Sequence, residues 1–213
     1  MNEKRRLVIL TEGMSNDHQG KIAVSVIRYN TDEVIAILDT CEAGKTSQEL
    51  FNCGGDIPVI ASLAHAQNAS ALLIGIAPPG GKFPDAWRDT IKQALNSGLH
   101  IISGLHDFLS DDEEFRTLAQ KNNVRIDDIR KNNFKQVATR EGINESCYRV
   151  HTVGHDCAIG KMVTSLEINK AMQGAGHDSQ FVATGQTGIM ITGSGLPMDC
   201  IVADFLKGAG EVL

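Results

Sequence analysis

The stretch Tyr148-Arg149-Val150-His151-Thr152-Val153-Gly154-His155-Asp156-Cys157-Ala158-Ile159-Gly160-Lys161 decides how this chain is read. An apolar run, expected as a strand from Tyr148 to Val153, leads into a glycine-bounded loop. The loop ends at Lys161, where a helix is expected to run to Gln173 and to stop at Gly174 and Gly176. The spacing fits G-x-x-x-x-G-K. Such a loop turns backbone N–H groups around a phosphate, the helix that follows points its positive end at the same anion, and the lysine adds a full charge. Residues Gly154, His155, Asp156, Cys157, Ala158, Ile159, Gly160, Lys161 and Met162 are therefore the candidate phosphate-binding set.

One position departs from the pattern. Met162 stands where magnesium–nucleotide loops carry the Ser or Thr that holds the metal. Thr164 and Ser165 lie two and three residues further on. A ligand gripped by its phosphates without a metal suits this loop better than Mg-ATP, and no metal ligand set is expected. Cys157 at a helix start could have a low pKa, yet the loop geometry serves phosphate first.

Upstream, short apolar runs alternate with helical patterns. Strands are expected at Leu7–Thr11, Val34–Leu38, Pro58–Ala61, Ala71–Ala77, His100–Ser103 and Val124–Ile126. Helices are expected over Gly20–Tyr29, from Pro84 to Asn96, and from Asp111 to Asn122. The strands are continuously apolar rather than alternating, as in a parallel sheet covered on both faces. The fold class is thus α/β: a Rossmann-like domain over 1–130, a polar linker over 131–146, and a P-loop domain from 147 to 213. Downstream of the P-loop helix, Gln180–Thr184 reads as a strand, 185–197 as turns, and Met198–Val212 as a helix. This offers few strands for a P-loop core, so the second domain is expected to be incomplete in this chain.

Composition bounds the partners. The 213 residues carry a net charge of −6 and are 42% hydrophobic and 22% charged. An acidic chain without a long basic stretch makes nucleic acid and anionic membranes poor partners. No apolar run approaches the roughly 20 residues of a membrane helix. The five cysteines (Cys41, Cys53, Cys147, Cys157, Cys200) never fall in C-x-x-C spacing, so neither a zinc site nor a disulfide framework is indicated. A cytoplasmic homo-oligomer acting on a small molecule is expected.

Other motifs follow strand ends, where open α/β sheets bind ligands. Gly75-Ile76-Ala77-Pro78-Pro79-Gly80-Gly81 is one, and Gly104-Leu105-His106-Asp107-Phe108-Leu109 another. His106 is a candidate proton acceptor or anion contact, against a plainer role as a cap. Gly80, Gly81 and Arg130 are candidates for holding a substrate carboxylate. Ala183-Thr184-Gly185-Gln186-Thr187-Gly188 places Gln186 and Thr187 near a ligand, and Asp199 and Asp204 are candidates for ligating a metal or acting as a base. The sequence Asp39 to Thr46 ends in Gly44-Lys45-Thr46 but lacks the first glycine and is read as a loop.

Taken in order, these motifs, with Asp128-Ile129-Arg130 and Ala203-Asp204-Phe205…Gly208-Ala209, resemble a bacterial and archaeal P-loop family that includes D-glutamate N-acetyltransferases of the DgcN type. The resemblance covers nearly the whole chain, and family members continue past Leu213. It implies a Rossmann-like domain joined to a P-loop domain akin to dethiobiotin synthetase. It also implies acetyl transfer from acetyl-CoA to the amino group of a small acidic D-amino acid. Coenzyme A carries a pyrophosphate and a 3′-phosphate and needs no magnesium, which agrees with Met162. The alternatives are an ATP- and Mg-dependent ligase or kinase of the dethiobiotin-synthetase type, and a nucleotide-binding regulatory protein.

Overall fold

The computed structural model describes residues 4–16, 19–156 and 159–213. Its contacts divide the chain into two compact units, Met1–Lys131 and Asn132–Leu213.

The first unit is a six-stranded sheet. β1 is Leu7–Leu10, α1 Lys21–Tyr29, β2 Val34–Leu38, α2 Ser47–Phe51, β3 Val59–Ile60, β4 Ala71–Ile74, α3 Arg88–Asn96, β5 His100–Ser103, α4 Glu113–Lys121 and β6 Ile126–Asp128. All neighbouring strands are parallel, in the order β3-β2-β1-β4-β5-β6. That is the strand order of dinucleotide-binding Rossmann sheets, with the order reversing between β1 and β4.

The continuous apolar runs have the expected cause. Side chains alternate across a strand, and here both faces are covered. Val8, Leu10, Leu72 and Ile74 pack into a core with Ile91 and Leu95 of α3 and Phe115 of α4. On the other face Ile9 meets α1: a Cβ placed on Gly75 would fall 2.3 Å from the Ile9 Cγ2 and 3.0 Å from the Ala23 Cβ. Each fully buried Leu or Ile contributes about 1.5–3 kcal/mol relative to exposure.

Several boundaries move. Pro84 is followed by a 3-10 turn, Asp85–Trp87, before α3 begins at Arg88. β6 lies two residues later than the expected Val124–Ile126, because its pairing with β5 aligns Ile101 with Ile126. The loop expected around Thr46 does carry a helix. The Thr46 hydroxyl accepts from the Glu49 N–H and the Glu49 carboxylate accepts from the Thr46 N–H, a capping box that stabilises even the five residues of α2.

The second unit contains α5 (Lys161–Gly174), α6 (Gln186–Thr192) and α7 (Leu206–Val212). The strands expected at Tyr148–Val153 and Gln180–Thr184 do not form. A strand needs a hydrogen-bonding neighbour, and among the described residues no ladder reaches these segments. Tyr148 is 93% exposed and Val153 80%. The helix expected over Met198–Val212 is confined to α7, preceded by 3-10 turns at Met198–Cys200 and Ala203–Phe205. The turns expected over 185–197 contain α6 instead. Part of the polar stretch 131–146 is tied to α7. The N–H groups of Thr139 and Arg140 donate to the Glu211 carboxylate at 2.8 and 2.7 Å, and Gly208 leaves room for the Gln136 carbonyl, 2.1 Å from where a Cβ would stand. Among the described residues no helix is long and apolar enough to cross a membrane.

Candidate functional site: a phosphate loop at the start of α5

Both motif glycines have a geometric reason. Gly160 precedes α5 with φ at +91°, a conformation that other residues adopt only at a cost. A side chain on Gly154 would put its Cβ 2.4 Å from the Ile159 Cδ1 and 3.2 Å from the Lys161 Cδ. Gly154, the Ile159 side chain and the Lys161 stem therefore lie close together. The Lys161 ammonium folds back across the loop and donates to the Asp156 carbonyl. No side chain caps α5 at its N-cap residue, so the first-turn N–H groups and the helix dipole are left for an anion. Cys157 and Ala158, the middle of the predicted set, lie outside the described residues.

The hydroxyls near the helix start are already engaged. The Thr164 Oγ1 donates to the Gly160 carbonyl at 3.1 Å. Ser165 shares a 2.7 Å hydrogen bond with the Thr152 hydroxyl, which also bonds the Lys161 carbonyl at 3.0 Å. Met162 occupies the position where magnesium–nucleotide loops carry a hydroxyl. His155, Asp156 and Ile159 are exposed around the loop.

The other candidates fall into two groups. In the second unit Gln186 and Thr187 form the first turn of α6, while Asp199 and Asp204 sit exposed in the two 3-10 turns. The link from 183–184 to the following segment is close: Leu196 and Met198 donate to the carbonyls of Ala183 and Thr184, each at 3.1 Å. In the first unit Gly80, Gly81, His106 and Arg130 all come to the carboxyl edge of the sheet, after β4, β5 and β6. The His106 N–H donates to the Gly81 carbonyl at 2.9 Å, and an Arg130 Nη1 donates to the Gly104 carbonyl.

The sequence reading passed over Asp39, the acidic residue that closes β2. It is fully buried. Its carboxylate accepts from Ser15 Oγ at 2.5 Å and from the Cys41 N–H at 3.0 Å. An acidic residue at this place in a Rossmann sheet meets a cofactor ribose, but here the loop after β1 takes it. The N–H of Ala23 in the first turn of α1 is likewise spent on the Gly75 carbonyl, at 2.9 Å. The Asp39 carboxylate also lies with those of Glu12 and the Cys41 thiol, all within 4.8 Å, though Glu12 is bound by the Thr40 N–H at 3.0 Å. Only the strand-end position of Asp39 could have signalled this hub.

Comparison with known proteins gives this geometry a family. Residues 40–132 match a domain of unknown function, DUF1611_N, described as a Rossmann-like domain, and residues 136–213 match its partner DUF1611_C, described as a P-loop domain. A D-glutamate N-acetyltransferase of Tritonibacter scottomollicae is 40% identical over 196 residues, covering 91% of this chain and 56% of its own length. One from a Pseudoalteromonas species is 43% identical over 145 residues, covering 68% of this chain and 43% of its own. The chain thus spans about half the length of the curated relatives it matches. A crystal structure of a DUF1611 family protein from Anabaena variabilis superposes with a TM-score of 0.88 at 36% identity, covering 96% of this chain and 60% of that one. With a Rossmann-like unit followed by a P-loop unit, the chain belongs to the DUF1611 family.

Proposed function

We propose that this chain carries the phosphate-gripping part of an N-acetyltransferase that uses acetyl-CoA and acts on the amino group of a small acidic D-amino acid such as D-glutamate. The observation that carries the reading is the match, at 40–43% identity, to relatives named D-glutamate N-acetyltransferase. The loop geometry supports it. The residues present fit a phosphate group: α5 is uncapped, Gly160 holds the left-handed turn, and Lys161 lies over the loop. A ligand whose phosphates bind without magnesium suits Met162 and the engaged hydroxyls of Thr164 and Ser165.

When bound, acetyl-CoA supplies an acetyl group activated as a thioester. In this reading the first-turn N–H groups of α5 hold one of its phosphates and Lys161 exchanges the Asp156 carbonyl for it. The Gly80–Gly81 loop and Arg130 are the candidates for holding the acceptor carboxylate. An amino acid presents an ammonium at neutral pH, so a base has to take a proton before nitrogen can attack; His106, Asp199 and Asp204 are the candidates.

The test is product formation. The chain is incubated with acetyl-CoA and D-glutamate, and N-acetyl-D-glutamate is sought by mass spectrometry alongside release of free thiol. Metal-independent formation that is lost in Lys161→Ala is the expected result. ATP hydrolysis or ligation that needs magnesium, with no acetylated product, would move the function to the ligase and kinase class.

A further inference from the structure

A hydroxyl two residues before Gly154 ties the approach to the phosphate loop to the helix that follows it. The Thr152 hydroxyl donates to the Lys161 carbonyl at 3.0 Å, across nine residues of chain. A hydroxyl has one proton to give, so the 2.7 Å contact between the Thr152 and Ser165 hydroxyls is donated by Ser165. The result is a directed chain from Ser165 through Thr152 to a carbonyl in the first turn of α5. Both side chains are half-buried, where linked hydrogen bonds are shielded from water and polarise one another.

Strand pairing and apolar burial do not hold this approach. Among the described residues no ladder reaches 148–153, and Tyr148, Val150 and Val153 are all exposed. Yet Gly154 has to pass close to the Ile159 side chain and the Lys161 stem, 2.4 and 3.2 Å from where its Cβ would stand. A loop fixed before its ligand arrives does not spend binding energy on being ordered. The Thr152 hydroxyl fixes one end of this loop to the other.

We propose that Thr152 is a positioning residue for phosphate binding: its hydroxyl latches the entry of the loop to the first turn of α5, so that the Gly154 backbone and Lys161 are preset for the anion. The proposal rests on the phosphate-loop part of the reading above and is independent of which acceptor is acetylated.

The test is calorimetric titration of the full chain, without magnesium, with acetyl-CoA and separately with inorganic pyrophosphate. The parent is compared with Thr152→Val, Thr152→Ser and Ser165→Ala, at a temperature where melts show each to be folded. Thr152→Val removes both hydrogen bonds and is expected to weaken binding of either ligand by about threefold to tenfold. Thr152→Ser keeps the hydroxyl and is expected to restore the parent affinity. Ser165→Ala leaves the bond to Lys161 and is expected to fall between them. A lower melting temperature with unchanged affinity in Thr152→Val would make Thr152 a purely structural residue and overturn the proposal, as would an equal loss in Thr152→Ser. If Thr152→Val does not fold, Ser165→Ala decides: a measurable loss supports the latch and the parent affinity overturns it. A parent that binds pyrophosphate but not acetyl-CoA would remove the acetyltransferase reading and leave the latch to be judged on pyrophosphate. A parent that binds neither overturns both.

Discussion

Gly160 and Gly154 carry the phosphate loop for different reasons, and each reason predicts a different outcome. Gly160→Ala forces a Cβ into a left-handed backbone at φ +91°, although that Cβ meets nothing within 4 Å. The cost is backbone strain alone, about 1–2 kcal/mol, read as a modest fall in chemical-denaturation stability of the second unit. Gly154→Ala drives a Cβ into Ile159 and the Lys161 stem. The expected result is weaker phosphate-ligand binding, measured by titration, beyond what Gly160→Ala produces. These residues were legible in the sequence because a G-x-x-x-x-G-K spacing is itself a statement about backbone conformation. Asp39 was not legible as a hub, since its partner Ser15 meets it only once β1 and β2 are side by side.

At the scale of elements, α4 is tied at its start by a side-chain cap and an ion pair. The Asp112 carboxylate caps it by accepting from the Phe115 N–H at 3.1 Å and forms a forked pair with Arg88, at 2.7 and 3.1 Å. Arg88 also lies 4.5 Å over the Phe115 ring. The Arg88 hydrogen bonds hold the Asp112 carboxyl below the usual carboxylate range, with burial opposing them; Arg88 acts the same way on Glu114. A carboxyl depressed in the folded state stabilises the fold fully above its unfolded value. That stabilisation is lost as pH falls through the lower folded value. Melting temperature should therefore fall as pH drops below the ordinary carboxylate range. Asp112→Asn keeps a capping oxygen but cannot titrate, so its acid-side drop should be shallower. In the sheet, Leu73→Ala removes a fully buried side chain and should cost about 2–5 kcal/mol in equilibrium unfolding.

The elements also mark how far local sequence goes. The strands of the first unit were readable because each run has a parallel neighbour and helices above and below. Tyr148–Val153 carries Tyr148, Val150 and Val153 between polar residues and is expected as a strand, but strand structure belongs to a pair of segments and no described residue pairs with this one. The helix α2 was missed because a capping box outweighs short length. α6 was missed because its glycine- and threonine-rich sequence reads as turn, yet Gly188, Ile189, Met190 and Ile191 are buried.

At the scale of the molecule the chain is two units of unlike character. Among the described residues every ladder belongs to the first, while residues 141–151 are exposed and without helix or strand. Limited trypsin digestion should cut first at Arg149, before any site inside the sheet, and leave a fragment that keeps the melting transition of the first unit. Early cleavage within 71–128 would contradict this division. The two-domain order was visible in the sequence through the separate strand-end motifs, but the pairing order 3-2-1-4-5-6 was not, because periodicity says which residues are buried and nothing about which strands are neighbours.

The loop from Gly154 to Lys161 is proposed to grip a phosphate of acetyl-CoA without a metal. The measurement that tests it most directly is calorimetric titration of acetyl-CoA and of ATP, each with and without magnesium, into the chain and into Lys161→Ala. Acetyl-CoA is expected to bind with the same affinity with or without magnesium, and binding is expected to be lost in Lys161→Ala. Binding of ATP alone, and only with magnesium present, would contradict the proposal.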